Sequence, residues 1–243
     1  MVLPLKRLKI ETAGQLVRAI CYTAHLPRDS EKVRAEKRKL SSAARTKLNA
    51  ITSWNKCRLV MAANFSVGDL FVTLTYSDAA LPTTRRDALR LLRNWIAKMR
   101  TEYRRSGSKF DYLYTTENAH GDGRYHHHVI ARRFPGDALE VMQAHWIQGQ
   151  IHLDRIDTTD FTDLSKYFSK EAGDKGRKIG QRTWTPSHGL KKPEVISISV
   201  HDNYRLDAPP GSIVIDNPSC RNQYGEYSYL EYLAPTKQVQ KDA

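Results

Sequence analysis

Cysteine is scarce in this chain of 243 residues: Cys21, Cys57 and Cys220 lie far apart, and no CxxC pair occurs. That pattern offers neither a disulfide framework nor a cysteine zinc site, and it fits a reducing compartment. No apolar run reaches the ~18 residues that a membrane-spanning helix needs. The stretch Met1–Arg18 scatters Lys6, Arg7, Lys9 and Glu11 among its apolar residues and lacks a signal-peptide core, so the expected location is cytoplasmic, with no membrane partner. Internal repeats and low-complexity blocks are absent. So is GxxxxGK[ST]; Gly173–Gly180 is glycine-rich and basic but fits no phosphate-binding loop, which argues against a fused nucleotide-driven motor. Acidic residues are in deficit as well. Asp and Glu number 26 against 39 Lys and Arg, leaving a net charge of +13. Such an excess attracts polyanions, nucleic acid first among them, although a basic but merely soluble surface would look the same.

Hydrophobic residues make up 40% of the chain and charged residues 27%, the balance of a folded globular protein. Between Arg28 and Arg58 basic residues crowd together, among them Lys37, Arg38 and Lys39. A sparse apolar stripe of Val33, Leu40, Ala44, Leu48 and Ile51 runs beneath them. With Ser30 as cap, this reads as a helix facing phosphate or as a solvated helix face. The expected organisation is a basic, largely helical segment over 1–58, a domain over 59–193, and a C-terminal extension over 194–243 with further strands and a frayed tail.

Within the middle segment, Asp69–Tyr76 is rich in β-branched and aromatic residues and predicts a strand. A helix begins at Thr83 or Thr84, carries Leu89, Leu92, Trp95, Ile96, Met99 and Tyr103 at helical spacing, and stops at Ser106-Gly107-Ser108. Tyr112–Glu117 and Arg124–Arg132 read as two strands of a hairpin. A helix around Leu139–Trp146, a strand Ile151–Ile156 and a helix Asp160–Ala172 follow. Val195–Val200, Ser212–Ile215 and Glu226–Leu233 are candidate later strands. The order predicts an α+β fold: a central antiparallel sheet with helices packed on one face, plus the basic helical segment at the N-terminus.

The strongest local feature is His126-His127-His128 leading into Val129-Ile130. Alternate residues of a strand share a face, so His126 and His128 point the same way and can share one metal ion; a polar strand edge is the plainer alternative. Pairing Glu117 with Arg124 would set Thr115 opposite His126 and Leu113 opposite His128, with Glu117 on the histidine face as a third ligand. A slip of one residue would put it on the other face, where it could simply partner Arg124. The second feature is Tyr167-Phe168-Ser169-Lys170. On a helix Tyr167 and Lys170 are neighbours, and an ammonium beside a phenol favours the phenolate while also holding a phosphate oxygen. A surface pair on a helix would carry the same spacing.

Phe71-Val-Thr-Leu-Thr-Tyr76, His126-x-His128 and Tyr167-x-x-Lys170, in that order, resemble the three motifs of the HUH endonucleases. The likeness runs from Arg58–Phe65 to Trp184–Pro193 and is to the single-tyrosine, rolling-circle replication initiators of phage and plasmid type. It implies an antiparallel sheet with the histidine pair on a central strand, a tyrosine helix packed across it, and a divalent metal, Mg²⁺ or Mn²⁺. By the same resemblance His126 and His128 become metal ligands, with Glu117 the candidate third. Tyr167 becomes the nucleophile, and Lys170 positions the scissile phosphate. One departure stands out: the position between the ligand histidines is usually bulky and apolar, and here it is His127, which needs a hydrogen-bond partner or an exposed setting.

The implied reaction is site-specific nicking and joining of single-stranded or hairpin origin DNA through a 5′-phosphotyrosine link. A host helicase would open the duplex and a polymerase would extend the freed 3′-hydroxyl. Lys166, Lys175, Arg177, Lys178 and Arg182 are the candidate backbone contacts; Trp184 is either a stacking platform or a core aromatic. A single-tyrosine transposase or relaxase would share this chemistry. A metal-dependent hydrolase using activated water would cleave without a covalent adduct, and a non-enzymatic DNA-binding regulator would not cleave at all.

Overall fold

The structure is a computed structural model and describes residues 6–24, 42–118, 124–169, 182–222 and 225–235. The chain divides into two compact units, Thr52–Leu190 and the paired segments Met1–Ile51 and Lys191–Ala243.

The first unit is built on a five-stranded antiparallel sheet. Its strands are β3 (Leu70–Leu74), β4 (Tyr112–Glu117), β5 (His126–Ala131), β6 (Ile151–Arg155) and the short β7 (Thr185–Pro186), in the order β6-β3-β5-β4-β7. Strand β5, which carries the histidine triplet, is therefore central. Helix α2 (Arg85–Arg105) starts where the Thr84 side chain accepts a hydrogen bond from the Asp87 amide at 3.2 Å, and it stops at Ser106 ahead of Gly107, whose φ is +72°. Helix α3 (Ala138–His145) is capped the same way by Asp137. Leu92, Trp95, Ile96 and Met99 of α2, with Met142 of α3 and Trp146 beyond it, join Leu70, Val72, Leu74, Val129 and Ala131 in one core. Helix α4 (Thr162–Ser169) lies on the opposite face, where Phe168 and Tyr167 meet Phe71.

Helices thus cover both faces of this sheet, where the sequence predicted one. The reason is visible in β5 and its neighbour β4: Val129 is fully buried on one face, and Ile130 and Leu113 are fully buried on the other. A strand apolar on both sides must be covered on both sides. At one turn the packing leaves no room for a side chain. A Cβ on Gly149 would stand 2.3 Å from the Thr75 carbonyl oxygen, so only glycine lets the chain leading into β6 pass the end of β3.

The second unit is a six-stranded antiparallel sheet made of β1 (Lys6–Ala13), β2 (Leu16–Thr23), β8 (Glu194–Val200), β9 (Ile213–Asp216), β10 (Ser219–Asn222) and β11 (Gly225–Leu233). Its order is β10-β11-β2-β1-β8, with β9 pairing β11. The three later strands fall where the sequence placed them. Residues 6–23, expected within a largely helical segment, instead form a tight hairpin. Leu8 alternates with Arg7 and Lys9, and Gly14, at φ +59°, turns the chain between Ala13 and Leu16. Leu8, Ala19, Cys21 and Leu230 make a small core on one face of this sheet. The expected basic helix is described only as α1 (Ser42–Asn64), in which Ile51 is 41% exposed; Ser30, Lys37, Arg38 and Lys39 lie outside the described residues. Among the described residues no helix is long and apolar enough to cross a membrane.

Candidate functional site on the histidine face

The site is assembled by strand register. Glu117 pairs with His126, Thr116 with His127 and Thr115 with His128. This is two residues from the expected pairing of Glu117 with Arg124. Because side chains alternate with period two, the shift keeps Glu117 on the face of His126 and His128 and brings it directly opposite His126. On the other flank Thr73 of β3 is paired with His128, and its Oγ1 lies 3.1 Å from His128 Nδ1.

Helix α4 brings Tyr167 onto this face. Its hydroxyl lies 2.7 Å from His128 Nε2, and Glu117 Oε2 stands 3.5 Å from the same hydroxyl. The phenol crosses the imidazole edge-on with ring centroids 4.7 Å apart, while Phe71 stacks on the other side of the imidazole at 5.9 Å. With the proton of His128 on Nδ1, where Thr73 Oγ1 accepts it, the Nε2 lone pair faces the tyrosine hydroxyl, which donates to it. His128 is thereby held in one ring orientation between a threonine and a phenol.

Several groups that no sequence motif marks seat the helix. Trp54 Nε1 donates to Ser165 Oγ at 2.6 Å, and Arg58 Nε donates to the Asp160 carbonyl at 2.6 Å, tying α1 to α4. Asp160 Oδ1 accepts from the Thr162 amide at 2.7 Å. Between them Phe161 is buried at 1% exposure with φ +55°, a left-handed conformation that strains an aromatic residue.

The donors here suit a hard divalent cation. Glu117 is 8% exposed, and its Oε1 is buried without a hydrogen-bond partner among the described residues. A buried carboxylate oxygen left unpaired is costly, and a cation would relieve it. Glu117 Oε2 and His128 Nε2 are 3.6 Å apart, and half-buried His126 adjoins them on the same face. An oxygen and two imidazole nitrogens match Mg²⁺ or Mn²⁺ in type. Among the described residues no three His, Cys, Asp or Glu side chains converge as a finished metal cluster.

His127 points to the other face and is fully buried. Its Nε2 is 2.7 Å from the Tyr76 hydroxyl and its Nδ1 is 2.8 Å from Thr116 Oγ1. The Tyr76 hydroxyl in turn lies 3.3 Å from the Ala88 carbonyl. One placement of protons satisfies every group: Thr116 donates to Nδ1, Nε2–H donates to Tyr76, and Tyr76 donates to Ala88. Burial, then the nearby charges of His128, Arg85 and His126, lowers the His127 pKa from 6.5 to about 3, so the ring is neutral. Burial likewise pushes the Tyr76 phenol up.

Of the candidate backbone contacts, Lys166 and Arg182 are exposed; Lys166 lies 3.8 Å from Asp163 and over the Trp54 ring. Lys170, Lys175, Arg177 and Lys178 lie outside the described residues. Trp184 is 9% exposed with Nε1 donating to Ser53, a core position and not a stacking platform.

Comparison with known proteins agrees with this placement. No curated protein and no solved structure matches the chain. Residues 69–172, the segment from the start of β3 past the end of α4 that holds Glu117, His126, His128 and Tyr167, match the family described as replication-associated protein ORF2, and in this segment the chain is similar to replication-associated proteins.

Proposed function

We propose that this protein nicks and rejoins single-stranded DNA at a replication origin by transesterification through Tyr167, and so initiates rolling-circle replication. The observation that carries the reading is the Tyr167 hydroxyl held 2.7 Å from His128 Nε2, with Glu117 Oε2 3.5 Å away. A phenol becomes a nucleophile only where a group nearby takes its proton, and here two acceptors adjoin it. The similarity to replication-associated proteins and the +13 charge support DNA as the substrate.

His126, His128 and Glu117 would hold the divalent cation, Mg²⁺ or Mn²⁺. A bound cation supplies Lewis-acid polarisation of the scissile phosphate. His128 Nε2 serves either a cation or the phenol proton, one at a time. Glu117 has two oxygens for two tasks, Oε1 without a hydrogen-bond partner among the described residues and Oε2 beside the hydroxyl. Tyr167 Oη bonds to phosphorus as the bond from phosphorus to the 3′-oxygen breaks. The phenol proton passes to Glu117 or His128, and the departing 3′-oxygen takes a proton from water. The DNA is left with a free 3′-hydroxyl and a 5′-phosphotyrosine. Attack by a 3′-hydroxyl reverses each transfer and reseals the strand; one ester replaces another at every stage. Lys170 would steady the phosphate, and Lys166, Lys175, Arg177, Lys178 and Arg182 would follow the strand.

The test is a denaturing gel of the full chain with 3′-labelled single-stranded origin candidates and Mn²⁺. The wild type should carry label at the mass of a protein–DNA adduct, and Tyr167→Phe should not. Cleavage without adduct would replace this reading by hydrolysis through activated water. Absence of both cleavage and adduct with every origin candidate would leave a DNA-binding regulator.

A further inference from the structure

We infer that the six-stranded sheet carries a second nucleic-acid site, a stacking platform for single-stranded DNA formed by Tyr22, Tyr227 and Arg7. Side-chain alternation gives this sheet two different faces. Leu8, Ala19, Cys21 and Leu230 fill one. On the other, Arg7 of β1 is paired with Tyr22 of β2, and Tyr22 is paired with Tyr227 of β11. One cation and two phenol rings therefore stand in a single row across three adjacent strands, about 5 Å from one to the next.

The row is open and uncommitted. Tyr22 is 42% exposed and Tyr227 41% exposed, and Arg7 is exposed beside them. Among the described residues no ring contact, hydrogen bond or ion pair engages any of the three. The neighbouring row on the same face shows what engagement looks like. There Lys9 donates to Glu11 at 2.7 Å, the Arg18 guanidinium lies over the Tyr229 ring at 5.7 Å, and the Tyr229 hydroxyl donates to Glu231. The charges and rings of that row satisfy one another; those of the outer row do not.

Two adjacent aromatic faces beside a guanidinium match a single strand. Unpaired bases offer π faces to the rings, and the phosphate between them meets the cation, whereas a duplex hides its base faces. A chain of net charge +13 adds the long-range attraction. The row lies outside residues 69–172, so it is a site apart from the tyrosine of α4 and does not depend on nicking.

The test is fluorescence anisotropy of the full chain with labelled oligo(dT) of about 15 nucleotides, near one binding site in length. Replacing Tyr22 and Tyr227 together with Ala should weaken binding about 25-fold or more, at least ~5-fold per ring. Tyr22→Phe with Tyr227→Phe should bind like wild type, because stacking needs the ring and not the hydroxyl. Arg7→Gln should lower the salt slope by about 0.7. Tyr167→Phe should bind oligo(dT) normally, which separates this site from the nicking site. Should the Ala variant fail to fold, photocrosslinking of wild type to 5-iododeoxyuridine oligonucleotide decides, with Tyr22 or Tyr227 as the expected adduct. Unchanged affinity in a folded Ala variant, equal losses in the Phe and Ala variants, crosslinks only elsewhere, or tighter binding of oligo(rU) or duplex would each overturn it.

Discussion

The His127 imidazole and the Tyr76 hydroxyl meet at 2.7 Å beneath the histidine face, and Thr116 closes the other side of the ring at 2.8 Å. A polar side chain sits where an apolar one would fill the core, and its cost is met because both ring nitrogens are paired. The same strand turns His126 and His128 to the opposite face, so a well-anchored His127 also fixes the pleat that presents them.

His127→Leu should destabilise the protein by about 1–3 kcal/mol, because Thr116 and Tyr76 lose their buried partner. The variant should also change the response to acid. The unfolded chain takes up a proton at this histidine below its ordinary pKa of 6.5, while the folded chain resists until about 3. The contribution is therefore complete above pH 6.5 and is lost progressively as pH falls toward 3, by up to ~1.4 kcal/mol per pH unit. Urea denaturation between about pH 7 and 4 should show this slope in the wild type and a shallower one in His127→Leu.

Thr73→Val keeps the shape of the side chain and removes the acceptor for His128 Nδ1. The ring should lose its fixed orientation, lowering Mn²⁺ affinity and nicking about 10–100-fold with little loss of stability. Calorimetric Mn²⁺ titration beside thermal melting separates the two effects.

Replacing His126 and His128 together with Ala, or removing the metal with EDTA, should abolish nicking and leave salt-dependent DNA binding nearly intact, since phosphate contacts supply most of the affinity. Glu117→Gln should weaken Mn²⁺ binding at least ~10-fold. Wild-type nicking by the double histidine variant would remove the metal from the account.

Phe161 tests how α4 is seated. Phe161→Ala should cost about 3–5 kcal/mol through lost packing. Phe161→Gly should recover about 1 kcal/mol of that, because glycine occupies φ +55° without strain. Chemical denaturation of the two variants gives the comparison.

What the sequence revealed and what it hid divide along physical lines. Helix α2 was legible because Leu92, Trp95, Ile96 and Met99 recur at helical period behind a threonine cap. The histidine face was legible because alternation is a local rule: it survives a register two residues from the expected one, even though pairing itself depends on a loop whose path no local rule dictates. The hairpin of residues 6–23 was hidden because Lys6, Arg7 and Lys9 mask a short alternation whose partners, β8 and β11, come from the far end of the chain. Thr73 lay within the first motif, but only the pairing of β3 with β5 sets it against His128. Phe161 carries no sequence signal, since left-handed backbone is ordinarily the place of glycine or asparagine.

The most direct measurement is the identity of the residue that carries the DNA. Trypsin cuts after Lys166 and Lys170, so digestion of the wild-type adduct should give the peptide Tyr167-Phe168-Ser169-Lys170 with a nucleotide remnant on the phenol oxygen. Fragmentation in the mass spectrometer should place the added mass on Tyr167, the phenol that lies 2.7 Å from His128. A remnant on Tyr76, Tyr125 or any other tyrosine, or an adduct still formed by Tyr167→Phe, would contradict the account.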